Sequence, residues 1–80
     1  MRTKEAIANR ILRLCEERNI AVNELASISG VPPSTVYSIL NKKSKNPGAI
    51  TLKKLCDGFE ITLAEFFDTP EFNSLEQEIK

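Results

Sequence analysis

Histidine and tryptophan are absent from this chain, tyrosine occurs once and cysteine twice. Each absence removes a class of chemistry. Without histidine there is no side chain that ordinarily titrates near neutrality, and no imidazole for a metal. Cys15 and Cys56 lie far apart with no close-spaced partner, so neither a zinc site nor a dithiol motif has its ligands. Both sit among apolar residues and read as buried, reduced thiols. No P-loop or dinucleotide-binding glycine pattern occurs among only three glycines. Ser34 and Ser38 have no base within sequence reach, and the carboxylates are scattered over polar positions. Nothing here supports an enzyme, a metal or a cofactor. No apolar run is long enough to span a bilayer. The basic start, MRTKEAIANR, carries charge through its apolar pattern, unlike a signal peptide. A cytoplasmic location is the expectation.

What is present suits one small helical domain. The 80 residues are 41% hydrophobic and 28% charged, an ordinary balance for a globular chain near the lower size limit for a self-supporting core. The formal net charge is zero, yet it is unevenly spread. Residues 1–45 hold eight Lys or Arg against four Glu, and residues 46–80 hold three Lys against seven acids. A polyanion meets the local face, not the sum.

Apolar spacing predicts a first helix over 4–18, with Ile7, Ile11, Leu14 and Cys15 on one stripe and Asn19 closing it. A second helix is expected from about Ala21 or Val22 to Ser29, poorly capped because Ala21 offers no acceptor. Its apolar side is read as Leu25, Ala26 and Ile28. Gly30 ends it in a left-handed conformation. Pro32 and Pro33 forbid a continuous helix, while Pro33 suits a first helical position. A third helix follows to about Leu40, with Val36, Ile39 and Leu40 inward and Ser34, Tyr37, Ser38 and Asn41 facing elsewhere. The stretch NKKSKNPG is a loop rich in lysine. A fourth helix is expected over 49–58, with Leu52, Leu55 and Cys56 inward and Asp57-Gly58 ending it. Thr62 and Glu65 form a capping box before a fifth helix, with Ile61 placed to pack on Phe66. The expected core also includes Phe59, Ile61, Leu63 and Phe66.

The helical domain is therefore read over 1–68. The tail, 69–80, could carry a short sixth helix opening at Thr69-Pro70, with Phe72, Leu75 and Ile79 on one face. That face either folds onto its own domain or meets a second copy.

Two short helices meeting at a glycine corner form the arrangement that lays its second helix in the DNA major groove. The residues NELASISGVPPSTVYSILN and NPGAITLKKLCDGFEITLAEFF resemble the lambda repressor and Cro-like helix-turn-helix family, also called the XRE family. Leu25-Ala26, Gly30-Val31, Ser34-Thr35-Val36 and Asn41 carry the likeness, which runs from about Ala6 to Phe67. It implies an all-α five-helix domain whose helices 2 and 3 form the helix-turn-helix. It also implies sequence-specific binding of double-stranded DNA, commonly a palindromic operator, by a homodimer that most often represses transcription. The family's base-reading positions match Pro33, Ser34, Tyr37 and Ser38. Lys42, Lys43, Ser44, Lys45 and Asn46, with Arg10 and Arg13, are the expected phosphate contacts. Phe67, Phe72, Leu75 and Ile79 are the expected dimer surface. The chain departs from the pattern at Val22, where glutamine is usual, at Pro32, where a serine or threonine cap is usual, and at Pro33, where a long polar side chain is common. No residue of the third helix can make a bidentate base contact. The competing reading is a small protein-interaction module that uses the same fold without reading DNA.

Overall fold

The described residues of the computed structural model are 2–41 and 46–79. They form six helices: α1 (Thr3–Arg18), α2 (Val22–Ser29), α3 (Pro33–Leu40), α4 (Ala49–Phe59), α5 (Leu63–Phe67) and α6 (Pro70–Asn73). No strand occurs among them.

The helices are defined more by how they end than by how they begin. The starts of α1 to α4 have no side-chain cap. The ends of α1, α2 and α4 share one device. Asn19, Gly30 and Glu60 each take positive φ, at 54°, 68° and 61°. The amide of the following residue then reaches back to a carbonyl five residues earlier: Ile20 to Cys15, Val31 to Ala26, and Ile61 to Cys56. This pattern satisfies carbonyls left over at a helix end and turns the next, apolar residue inward. Val31 is buried, and Ile20 and Ile61 pack against the core. Local start signals do appear at α5 and α6. Thr62 Oγ1 accepts from the Glu65 amide at 3.0 Å, and Glu65 Oε1 accepts from the Thr62 amide at 2.8 Å. That backbone hydrogen bond, followed by the Thr62 side chain, holds the Glu65 carboxyl below its ordinary range. Thr69 caps α6 through the Phe72 amide.

One core joins these elements. Phe59, Phe66, Ile11, Leu25, Leu55, Val36 and Cys56 are its largest enclosed side chains. The main packing partner of α2 is α4, while α1 lies against α3 and α6. Cys15 and Cys56 are buried and unbridged. Burial raises both thiols, so they stay protonated and inert at neutral pH.

Several sequence expectations need correction. Ile28 is 55% exposed, not buried. At 100° per residue, Val22, Leu25, Ala26 and Ser29 define the packed stripe, and Ile28 falls about 60° beyond Leu25 on the opposite side from Ala26. Ile61 and Leu63 are only partly buried. Gly58 does not end α4, which runs on to Phe59 with Glu60 as its left-handed terminus. Gly58 serves close approach instead. A Cβ there would lie 2.1 Å from Ser29 Oγ and 3.2 Å from Ser29 Cβ. The sixth helix is a single turn, and the chain beyond it folds back. Thr3 Oγ1 donates to Glu78 at 2.8 Å, and Phe72 packs against the core.

The α2–α4 contact makes a specific stability prediction. Ser29 Oγ is buried with no hydrogen-bond partner among the described residues and occupies the space a side chain at 58 would need. Gly58→Ala should cost about 1 kcal/mol net, overpacking outweighing alanine's better helix propensity. In a Ser29→Ala background the cost should largely vanish, a coupling that denaturant titration of the four-member cycle reads directly. Strictly additive effects would contradict the contact.

Candidate nucleic-acid interface

The corner is built from three successive backbone restrictions. Gly30 supplies the left-handed turn with open space around it, and Val31 plugs into the core. Pro32 is extended, with φ −56° and ψ 138°, and its carbonyl accepts from the amides of Thr35 at 2.9 Å and Val36 at 3.3 Å. Pro33 then opens α3 where its missing amide costs nothing. The corner uses no side-chain cap because proline geometry sets the first turn.

Burial decides which side of α3 is displayed. Val36 is fully enclosed, Ile39 is 5% exposed, and Leu40 packs against the core. Pro33, Ser34, Tyr37 and Ser38 are all exposed: the two serines lie opposite Val36, Tyr37 lies to one side of them, and Pro33 lies at the first turn, about 60° from Val36. Tyr37, the only tyrosine, is 49% exposed. The four expected base-reading residues therefore share one outward surface, in two rows of i, i+4 pairs.

The expected phosphate contacts divide differently. Lys42, Lys43, Ser44 and Lys45 lie outside the described residues. Asn46 is exposed and lines an open cleft of about 720 Å³ with Arg2, Lys4 and Glu78. Glu5 also lines that cleft, and within it Arg2 is ion-paired to Glu78 at 3.4 Å. Arg10 is used inside the fold. Its Nε donates to the Phe66 carbonyl at 2.8 Å and its Nη2 to the Glu65 carbonyl at 3.0 Å, with the guanidinium 5.9 Å from the Phe66 ring centre. A cation on the last carbonyls of a helix is a favourable terminus. Arg13 donates to Glu71 at 3.0 Å. Arg10 thus clamps α5, and Arg13 bridges to α6.

Of the expected dimer residues, Phe67 is 36% exposed and Ile79 is 87% exposed, while Leu75 is half-buried. Phe72 turns inward, its ring 6.0 Å from Phe66 and 4.9 Å from Phe67.

A short helix held by its inner face, presented by a glycine corner on a helical scaffold, defines a helix-turn-helix domain of the transcription-regulator class. The chain belongs to the family of Cro/C1-type helix-turn-helix DNA-binding domains, whose family model matches residues 10–71. This is a DNA-binding family, not an enzyme family. The chain is 37% identical over 57 residues to the HTH-type transcriptional repressor RghR of Bacillus subtilis (strain 168). That match covers 71% of this chain and 42% of the relative, so the chain spans less than half the relative's length. Among solved structures, the prophage Lp1 protein 11 superposes with a TM-score of 0.82 at 30% identity, covering 94% of this chain and all of that one. An HTH_3 family transcriptional regulator from Vibrio cholerae gives 0.73 at 30% identity, covering 80% of this chain and 35% of that one. The all-helical, lambda-repressor-like fold is thus shared with transcription regulators.

The two sides of α3 should respond differently to substitution. Ile39→Ala should cost about 2–4 kcal/mol in thermal melts, as for an enclosed aliphatic residue. Tyr37→Leu should stay within about 0.5 kcal/mol, as for an exposed position. Equal losses at both sites would reverse the assignment of faces.

Proposed function

We propose that the chain binds a specific, two-fold symmetric DNA site as a homodimer and represses transcription from it. The observation that carries this reading is the outward set Pro33, Ser34, Tyr37 and Ser38, held in place by the burial of Val36 and Ile39. Those residues lie at the start of α3 and one turn on, the part of a recognition helix that enters the major groove. Repression follows the relative RghR, which is named as a repressor. A dimer follows from the small reach of one such module and from the symmetry of sites read by this motif. Phe67, Leu75 and Ile79 are the surface for the second copy, with Phe72 acting mainly as support beneath them.

Affinity on this reading comes from the basic half of the chain. Lys42, Lys43 and Lys45, with Ser44 and Asn46, meet phosphate beside α3. Lys4 shares the cleft with Asn46 and adds a cation there, beside Glu5 and the Arg2–Glu78 ion pair. Such contacts raise affinity without reading sequence. No described helix is long and apolar enough to cross a membrane. A regulator that acts on DNA would work in the cytoplasm.

Selection from a random duplex library at near-physiological salt tests the reading. The expected result is an enriched motif of two inverted half-sites. Lys43→Gln should weaken binding to all duplexes alike and lower the salt slope by about one. Enrichment of a single asymmetric half-site would remove the dimer. Binding to no duplex would transfer the function to a protein partner.

A further inference from the structure

The chemistry of α3 narrows what kind of site it can read, granted the DNA-reading function above. From Pro33 to Leu40 there is no Arg, Lys, Gln, Asn, Asp or Glu. Guanine is ordinarily fixed by bidentate Arg or Lys, and adenine by bidentate Asn or Gln. Neither contact is available on this helix. Asn41 stands at its C-terminal end, whereas the N-terminal residues enter the groove. What the exposed face does carry is a row of larger carbon surface, Pro33 and the Tyr37 ring with its terminal hydroxyl, beside a row of small hydroxyls, Ser34 and Ser38. Serine hydroxyls donate or accept and so suit either kind of base pair. The row of larger carbon surface is the discriminating part.

The major-groove edge offers such a row one matching feature, the methyl group on C5 of thymine. We propose that Pro33 and Tyr37 read pyrimidine C5-methyl groups, making thymine the principal determinant of the site and 5-methylcytosine an accepted substitute. The substitute follows from geometry, because methylated cytosine carries its methyl on the same ring atom and in the same groove. Four residues of helix rise about 6 Å, and successive base pairs are about 3.4 Å apart. The two residues therefore address methyl groups on the order of two base-pair steps apart. Readout of this kind makes binding responsive to cytosine methylation within the site.

The test uses the full chain and the duplex recovered by selection. Each thymine is replaced in turn by uracil, which deletes only the methyl. Two positions per half-site should lose about four-fold in affinity, the equivalent of one buried methylene of about 0.8 kcal/mol. At those positions a 5-methylcytosine·guanine pair should bind about four-fold tighter than cytosine·guanine. Pro33→Ser should bring the uracil-to-thymine ratio at one position to about one, and Tyr37→Ser should do so at the other, with circular dichroism confirming retained helix. An enriched motif whose affinity is indifferent to uracil at every position would overturn methyl reading while leaving DNA recognition intact. A uracil penalty that survives both substitutions would overturn the assignment to these residues. Failure to enrich any duplex would remove the DNA-reading function itself, and this proposal with it.

Discussion

The burial of Val36 and Ile39 is the constraint on which the displayed surface depends. An eight-residue helix has too few hydrogen bonds to offset its nucleation cost in water. α3 is a helix because its inner side completes a core supplied by other elements, and its outer side is available for the same reason. α2 is equally short and rests on α4, at a close approach that glycine at position 58 accommodates without displacing Ser29. The chain from α4 to α3 is thus continuous: α4 seats α2, Gly30 turns the chain, Val31 pins the turn, and the two buried side chains of α3 fix which residues face out.

The three left-handed helix ends perform the same operation with different residues. Glycine serves at 30, asparagine at 19 and glutamate at 60. The conformation costs roughly 1–2 kcal/mol for a residue with a Cβ. At 19 and 60 it is offset by the returned hydrogen bonds and by the apolar residue each one turns inward. At the corner the cost is avoided. Arg10 supports the opposite end of the domain, where its guanidinium closes the five-residue α5 across a separation of 55 to 56 residues.

Local chemistry was legible in the sequence, and contacts between distant segments were not. The Thr62–Glu65 box, the turn at Gly30, the helix end at Asn19 and the outward set on α3 all follow from residues within a few positions of each other. The use of Arg10 could not be read, because its acceptors are backbone carbonyls far along the chain and carry no sequence signature. Ile28 misled because an apolar residue three positions after Leu25 fits helical spacing while lying outside the stripe set by Val22, Ala26 and Ser29. Gly58 misled because a glycine that ends a helix and a glycine that admits a neighbour look alike in sequence. The candidate base-reading positions came largely from family likeness. The structure adds that all four lie on one exposed face.

An unusual poverty of long polar side chains on α3 separates the two tasks such a domain performs. On the proposed reading, phosphate contacts from Lys42, Lys43 and Lys45 would supply affinity, leaving a small surface of short side chains and one tyrosine to discriminate. The central claim is that the outer face of α3 is where DNA sits. Amide chemical-shift mapping on addition of the selected duplex measures this most directly. The account predicts that the largest changes fall on residues 30–41 and on Lys4 and Asn46, which share the cleft, with little change around Ile28 and Gly58. Saturable binding whose largest changes fall on α5 and the tail, with α3 unmoved, would contradict it.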